Sequence, residues 1–384
     1  MKTHTKNIAG IEALRGVAAL MVLLYHLVEL LKVPLPGSLA FVRTHFGLGV
    51  PLFYALSGFV LAYEYSGGLI SPRDIKTFYI RRLFRIAPLF YCMLALWLVV
   101  NWLVWDAYSS PLALLLNLTL TFGLVPGMHE SVVWAGWSIG IEVLFYLVFP
   151  IIALLTPGVR SAFFALVMGC VLSGATYAAL AASNIGNYAY MNLVTHLPNF
   201  LCGVLVYHLW QRADFRTSRW GALMFAAAIV MALLLIREPR IYVWLSGIRI
   251  GFLQRNVWVV VFGLLILSSC VWHNPLLLKG PLRSLGRVSF SLYLVHPMLM
   301  LALMKIGFVE FLGRNFSSTS VQFLVGAAFT IGLVWLVSYF TYRFIEAPGM
   351  ALGKRIAARL EAGSARSVVH EGELGGLPQD RYAR

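Results

Sequence analysis

A chain of 384 residues that is 60% hydrophobic and only 12% charged lacks the polar residues that cover a soluble domain, in which about 25% of residues are charged. Its net charge of +15 would suit a nucleic-acid-binding protein, but basic residues also gather in the cytoplasmic loops of membrane proteins. We therefore expect no nucleic-acid partner and predict an all-α integral membrane protein, whose partner is the lipid bilayer.

Apolar runs of about 20 residues, each long enough to cross a bilayer as a helix, recur along the chain. Ten transmembrane helices are predicted, at about 11–31, 46–65, 86–105, 137–156, 161–182, 194–210, 220–236, 256–272, 288–307 and 321–344. A shorter apolar segment at 111–126 is bounded by prolines and is either an eleventh span or a short re-entrant or interfacial segment. Residues 1–350 are predicted to form the transmembrane domain, and 351–384 a polar cytoplasmic tail that is disordered.

The distribution of basic residues decides between ten and eleven spans. With ten spans and a cytoplasmic N-terminus, 21 of the 30 Lys and Arg residues lie on the cytoplasmic side, eight lie on the other side, and Arg15 lies within a span. An eleventh span would leave 13 inside against 16 outside. Because positive charge favours the cytoplasmic side, the prediction is ten spans with both termini cytoplasmic.

Two polar side chains in the first span share one face of the helix. Arg15 and His26 are eleven residues apart, which is close to three turns and roughly 16 Å along the axis. A charge near the bilayer centre costs about 2.5–3.5 kcal/mol, so such residues normally face the protein interior. A snorkelling arginine and a structural histidine would also explain the pair, but the shared face favours a functional role.

Polar groups occur at three further places. Ser57 and the glycine after it interrupt the second span, where small residues allow close helix packing. Arg82 and Arg85 precede the third span on one helix face, where guanidinium groups either bind phosphate or anchor the span at the cytoplasmic surface. An ion pair or a helix-end anchor explains Arg343 and Glu346 at the end of the tenth span.

A carboxylate lies within the fourth span. Its neighbours about one turn away are Trp137, Ser138 and Tyr146. A buried carboxylate needs a partner, and Glu142 would either neutralise Arg15 or form a hydrogen bond with His26, with a purely structural role equally open. His296 lies in the middle of the ninth span and is a further candidate.

Several common catalytic signatures are absent from the sequence. It contains no Walker A loop, no GxSxG elbow, no HExxH motif and no paired zinc ligands, so we expect no metal and no permanently bound cofactor. Ten spans with intramembrane His, Glu and Arg would also fit a proton-coupled transporter or flippase. Against that alternative, the sequence shows no inverted repeat and no paired broken helices.

In this order, the polar segments resemble the acyltransferase 3 family of bacterial membrane O-acyltransferases, over roughly residues 8–350. The matching elements are the Arg15–His26 spacing, Leu52 to Phe59, Arg82 to Arg85, Trp137-Ser138 with Glu142, Ser291 to Pro297, and Glu346 to Pro348. Each element alone is weak, but six in sequence on the corresponding spans are specific. Pro51, Gly140 and Val143 depart from the residues usual in the family.

The resemblance implies a multi-pass enzyme of the bacterial cytoplasmic (inner) membrane. It would move an acyl group, acetyl by family frequency although succinyl is open, from cytoplasmic acyl-CoA to a hydroxyl of a glycan or lipid-linked sugar. Acetyl-CoA is then a co-substrate rather than a bound cofactor. The acceptor itself is left open.

The resemblance also implies roles for the polar residues. Arg82 and Arg85 would hold the CoA phosphates, and Arg15 would bind or polarise the donor near its thioester. His26, whose side chain ordinarily titrates near neutral pH, would be the general base, with Glu142 orienting it or balancing Arg15. A relay through an acyl-histidine is the other route, and the sequence does not separate the two.

Overall fold

The computed structural model describes residues 8–65, 69, 71–183, 185–212, 218–238, 240–241, 256–272 and 280–374, and within them the regular elements are all helical. The α-helices are α1 Ile8–Glu29, α2 Phe41–His45, α3 Gly49–Glu64, α4 Pro72–Trp105, α5 Pro111–Leu118, α6 Trp137–Leu155, α7 Val159–Ala182, α8 Leu193–Arg212, α9 Ser218–Arg237, α10 Trp258–Val271, α11 Pro281–Arg287, α12 Ser289–Lys305, α13 Phe308–Asn315, α14 Thr319–Thr341 and α15 Ala347–Leu374. Short 3-10 turns occur at Gly37–Leu39, Phe46–Leu48, Phe122–Leu124 and Gly186–Ala189.

The predicted fold class, a multi-pass α-helical membrane protein, is confirmed. Each of the ten predicted spans coincides with one helix. By length and composition, eight helical stretches in the described residues are able to cross a membrane, and α11 with α12, bent by 83°, makes nine if the pair is one span. The remaining predicted span, the eighth in chain order at 256–272, is α10, which is apolar but has only 14 residues.

The segment at 111–126 does not form an eleventh span. Its helix α5 has eight residues, which corresponds to about 12 Å and is much shorter than the roughly 30 Å hydrocarbon layer. Ser110 caps the helix by accepting a hydrogen bond from the Ala113 amide at 3.1 Å. The short-segment alternative is therefore the one that agrees with the fold.

Helix α1 packs against α3, α10, α11, α12 and α14, so Arg15 and His26 lie inside the bundle. Helices α3 and α8 make a close contact near the site. A Cβ atom on Gly58 would lie 2.0 Å from the carbonyl oxygen of Phe200, and one on Gly203 would lie 2.0 Å from that of Ala55. Gly58 thus supplies the close packing that the sequence predicts, and Ser57 beside it is available for another role.

Helix α4 brings basic side chains from outside the bilayer into the bundle. Its 34 residues extend about 51 Å, well beyond the thickness of the hydrocarbon layer. Ser71 and Asp74 form a capping box at its start, with Pro72 in the first turn. Arg82 and Arg85 therefore lie on a well-defined helix rather than on a loop.

Helix α15 continues beyond residue 350, into the segment for which the sequence predicts a polar tail. A π-helical segment, Tyr342–Glu346, joins α14 to α15, and α15 packs along α4. Cβ atoms on Gly349 and Gly353 would lie 2.5 Å from side-chain atoms of Pro88 and Phe84. Residues 351–374 are helical because of this close contact and the continuity with α14, whereas 375–384 lie outside the described residues. The domain boundary at residue 350 remains a prediction.

Candidate active site

His26 and His296, the two histidines of the motif elements described above, meet between α1 and α12. The Nε2 atom of His296 lies 3.0 Å from the Nδ1 atom of His26, and the ring centroids are 4.9 Å apart. His296 is fully buried, and its Nδ1 atom lies 3.1 Å from the Leu292 carbonyl oxygen. The sequence places both histidines in spans but does not predict that they pair.

The hydrogen-bond partners define the tautomers of the neutral pair. A carbonyl oxygen only accepts, so Nδ1 of His296 carries the hydrogen and its Nε2 accepts. His26 then donates through Nδ1, so its Nε2 atom is unprotonated and has a free lone pair. In many catalytic sites a carboxylate accepts this hydrogen bond and so orients the imidazole. Here His296 accepts it.

His26 opens onto a small surface cavity, which we call the His26 pocket. Its lining consists of Tyr25, His26, Glu29, Leu30, Trp134, Ala135 and Pro297. His26 itself is half-buried. The imidazole is therefore accessible from an opening and does not face surrounding lipid alone.

A second cavity, the arginine cavity, collects most of the other predicted site residues and contains about 640 Å³ of empty space, including the part open to solvent. Its lining is Arg15, Val50, Phe53, Tyr54, Ser57, Val60, Arg82, Arg85, Ser138, Ile139, Glu142, Tyr146, Ser289, Phe290 and Tyr293. Seven of the ten candidate residues are among them. His26, His296 and Trp137 are not, so Arg15 and His26 line separate cavities although they share a helix face.

Arg82 and Arg85, the two arginines of α4 that line the cavity, are already paired with carboxylates. Arg82 forms an ion pair with Glu64, and Arg85 forms one with Glu346, whose side chain is fully buried. Glu346 also accepts a hydrogen bond from the Ser291 hydroxyl at 2.7 Å. Its partners are therefore Arg85 and Ser291, whereas the sequence suggested an ion pair with Arg343. The π-helical turn that ends at Glu346 contributes to this inward orientation.

Aromatic rings hold the same two guanidinium groups in place. The Arg82 guanidinium lies 5.7 Å from the ring centroids of Tyr65 and Tyr146, and that of Arg85 lies 5.5 Å from Phe290. Cation–π contacts of this kind are worth about 0.5–2 kcal/mol each. Both arginines are therefore fixed parts of the cavity wall.

Among the described residues, Arg15 is the lining arginine without a direct ion pair. Among the described residues it has no carboxylate within 4.0 Å, and its buried Nε atom has no hydrogen-bond partner. Glu142 and Glu346 attract it at longer range, and Arg85 repels it. An anion in the arginine cavity would consequently find its most available counter-charge at Arg15.

Glu142 lies in the arginine cavity and not beside His26. It accepts a hydrogen bond from the Ser57 hydroxyl at 3.0 Å and one from the Tyr146 hydroxyl. The sequence leaves two roles open for Glu142, balancing the charge of Arg15 or orienting His26. The geometry favours the first, because His296 is the residue that orients His26. Ser57 and Tyr146 thereby hold the carboxylate that faces the unpaired cation.

A hydrogen-bonded contact centred on Tyr293 separates the two cavities. The Ser138 hydroxyl donates to the Tyr293 hydroxyl at 2.6 Å, which in turn donates to the Ala135 carbonyl at 3.1 Å. Tyr293 lines the arginine cavity and Ala135 lines the His26 pocket. Ala135 has a φ of 62°, a left-handed conformation that an alanine adopts only when its surroundings impose it.

Tyr293 is the residue that sequence reasoning missed, although a signal was present. It precedes His296 by three residues on the same helix, so both side chains lie on one face. The ring centroids of the two residues are 5.7 Å apart. Trp137 lies outside both cavities and packs instead near Tyr190 and His196, at 5.6 and 6.0 Å between ring centroids.

Comparisons with known proteins point to one family and several named relatives. An acyltransferase of Komagataeibacter xylinus, provisionally named the membrane-bound transacylase BcsY, is 26% identical over 373 residues, covering 91% of this chain and 85% of its own. A protein of Acidianus two-tailed virus, provisionally named an acetyltransferase, is 27% identical over 295 residues, covering 74% and 81%. A Staphylococcus aureus (strain COL) protein, provisionally named an O-acetyltransferase, is 24% identical over 391 residues, and the match covers 89% of this chain and 57% of that protein.

No solved structure matches the chain. The family model described as an acyltransferase domain, that of acyltransferase 3, matches residues 8–339. This range includes both histidines, all three lining arginines and Glu142. The chain therefore belongs to the acyltransferase 3 family of membrane-bound acyltransferases.

Proposed function

We propose that this acyltransferase moves an acyl group, acetyl by family frequency, from acyl-CoA to a hydroxyl group of a glycan or lipid-linked sugar. The observation that carries the proposal is the His26–His296 pair, which leaves Nε2 of His26 unprotonated in a residue that lines an open pocket. Arg15, on the same helix, supplies an available cation in a separate cavity. Donor and acceptor thus have distinct places.

The donor site that we propose is the arginine cavity. Acyl-CoA carries phosphates, and a charge-assisted hydrogen bond to an arginine is stronger than a neutral one. Arg15 is the guanidinium most free to make it, while Arg82 and Arg85 add positive potential from positions fixed by their carboxylates. The long pantetheine arm would carry the thioester past Tyr293 to the His26 pocket.

The reaction needs one base at the His26 pocket. Nε2 of His26 removes the proton of the acceptor hydroxyl as its oxygen attacks the thioester carbonyl carbon. The carbon–sulfur bond then breaks, the ester forms, and the CoA thiolate takes the proton back from His26. In the acyl-histidine route the same nitrogen attacks the thioester first, so both routes require the hydrogen bond to His296.

The proposed location is the bacterial cytoplasmic membrane with both termini cytoplasmic. Ion pairs within the structure join residues that the charge distribution assigns to one side: Arg81 with Glu361, Arg283 with Glu12, and Arg43 with Glu29. The first two pairs are on the predicted cytoplasmic side, near the arginine cavity. The third is beside the His26 pocket, on the opposite side.

Replacing Arg15 with methionine is expected to raise the apparent KM for acetyl-CoA about 10- to 100-fold, because one hydrogen bond to a charged group is lost. The fold should persist, since Glu142 keeps its bonds to Ser57 and Tyr146. Steady-state kinetics of the purified protein measure the effect. Arg81→Met, which removes an exposed arginine outside the cavity, is the matched control, and an unchanged KM for Arg15→Met would contradict the donor site.

Replacing Tyr293 with phenylalanine is expected to increase acceptor-independent hydrolysis of acetyl-CoA severalfold. The ring remains but the hydroxyl contacts to Ser138 and Ala135 are lost, so water passes more easily between the cavities. Release of free CoA without acceptor measures it. Tyr79→Phe removes a comparable hydroxyl–carbonyl bond, to Leu147, outside both cavities. Equal hydrolysis by the two variants would show that Tyr293 is not a barrier.

The proposed function is tested by acyl transfer itself. Surface glycans from a deletion strain, and from the same strain complemented with the wild-type gene or with His26→Ala, are compared by mass spectrometry. The wild-type gene is expected to restore an acyl ester that His26→Ala does not. A substrate that crosses the membrane without gaining an acyl group would instead favour the proton-coupled transporter.

A further inference from the structure

A third cavity, lined by both polar and apolar side chains, lies between α2, α8 and α10, and the reaction proposed above leaves it without a role. It contains about 810 Å³ of empty space, including the part open to solvent. We call it the Asn256 pocket. The lining residues that matter here are Thr44, His45, Tyr190, Asn199, Asn256 and Trp258.

Asn256 shows that the pocket has an unused hydrogen-bonding group. Its side chain is only 9% exposed, and its buried Nδ2 atom has no hydrogen-bond partner in the described part of the chain. Asn117, also buried, is fully bonded: its Nδ2 donates to the Ala113 carbonyl at 2.8 Å, and its Oδ1 accepts from Ser131 at 2.6 Å. A buried amide left unpaired is unfavourable, so a ligand with acceptor oxygens would be stabilised there.

The chemistry of the lining selects a class of ligand. Two amides, two threonine hydroxyls and two imidazoles share the lining with the rings of Tyr190, Trp258 and Phe262 and with Leu48 and Pro51, and none of these lining residues is Asp, Glu, Lys or Arg. An anionic ligand would find no counter-charge, and a lipid chain would leave the Asn256 amide without a partner, whereas Asn199 already donates to the His196 carbonyl at 3.4 Å. A sugar ring presents both an apolar face for the aromatic rings and hydroxyls for the amides.

The pocket adjoins the His26 pocket at two points. Arg43, which precedes Thr44, forms an ion pair at 2.7 Å with Glu29 of the His26 pocket. His196, another lining residue, lies 6.0 Å from Trp137 between ring centroids, and Trp137 follows the Trp134-Ala135 wall of the His26 pocket. These contacts connect the walls of the two pockets through directly neighbouring residues.

We propose that the Asn256 pocket binds a neutral sugar unit of the acceptor, next to the unit whose hydroxyl is acylated at His26. The inference rests on the proposed function and specifies its acceptor as an uncharged oligosaccharide or polysaccharide. Asn256 and Asn199 donate hydrogen bonds to the sugar, and Trp258 and Tyr190 pack against its faces. Acceptors of two or more units would then bind more tightly than single sugars.

Saturation-transfer NMR on the full-length protein in nanodiscs tests the proposal. The probes are neutral tetrasaccharides of glucose, mannose and galactose, their monosaccharides, and an oligoglucuronate as the charged comparison. At least one neutral tetrasaccharide is expected to bind, more tightly than its monosaccharide and than the oligoglucuronate. Asn256→Leu and Asn199→Leu are each expected to weaken binding about fivefold or more.

Asn187→Leu is the matched control, because its exposed amide donates to Glu130 outside the pocket. Size-exclusion profiles and the KM for acetyl-CoA identify any variant that misfolds, and having two asparagine variants keeps the test decisive. Wild-type protein that binds none of the neutral probes, or variants that bind them like Asn187→Leu, would overturn the proposal. Loss of transfer in His26→Ala with sugar binding intact would support the proposed function separately, so the two claims fail independently.

Discussion

His26→Ala is expected to lower acyl transfer by about 10²- to 10⁴-fold, the usual contribution of a positioned general base. The loss should appear in kcat, since the alanine removes the nitrogen that takes the hydroxyl proton and leaves the arginine cavity untouched. If the reaction proceeds through an acyl-histidine, the loss is complete. Transfer from radiolabelled acetyl-CoA by purified protein, with both substrates saturating, gives the value.

His208→Ala is the control for this experiment. His208 is also half-buried in a helix, but it lines none of the three cavities described above. It should retain wild-type turnover. If His26→Ala also retained wild-type turnover while its melting temperature was unchanged, the assigned base would be wrong.

Arg85→Ala is expected to destabilise the protein by about 3–5 kcal/mol, because it leaves the buried carboxylate of Glu346 without its cation. Only the Ser291 hydroxyl would still bond that carboxylate. The sequence alone predicts a milder phenotype for this arginine, a weaker hold on CoA phosphate. The structure changes that prediction, since the guanidinium is committed to an internal ion pair.

Unfolding of the purified protein in detergent, followed by melting temperature and by denaturant midpoint, measures the effect. Arg81→Ala breaks the exposed pair with Glu361, whose partners are 40% and 49% exposed, and should change stability by less than about 1 kcal/mol. Combining Arg85→Met with Glu346→Gln should recover much of the stability, because no unpaired charge remains. Arg85→Ala as stable as Arg81→Ala would refute the internal ion pair.

Much of the fold follows from the sequence because the bilayer constrains it strongly. Apolar runs in lipid must be helices, so the ten predicted spans coincide with helices even where ends differ by several residues. Polar residues within spans must be enclosed, so Arg15, Glu142 and His296 lie inside the bundle as expected. The short helix α5 agrees with the ten-span prediction, which the distribution of basic residues favoured over an eleventh span.

What the sequence does not predict is the rotation and tilt that pair one helix with another. Glu142 had two plausible partners, and only the packing of α6 against α3 places it with Ser57 instead of His26. Glu346 pairs across to Arg85 because a π-helical turn changes its direction, which no periodicity reveals. The separation of the two cavities depends on the strained Ala135 backbone, which spacing does not reveal, and on the bonds of the Tyr293 hydroxyl, whose partners spacing does not identify.

The central claim is that the donor is held on the Arg15 side and the acyl group emerges on the His26 side. Inverted bacterial membrane vesicles, supplied externally with radiolabelled acetyl-CoA, which does not cross membranes, test it directly. Wild-type vesicles are expected to form a labelled ester, and an added esterase should remove it only after detergent opens the vesicles. His26→Ala vesicles are expected to form no labelled ester. A labelled ester open to the esterase before detergent, or equal labelling with His26→Ala, would contradict it.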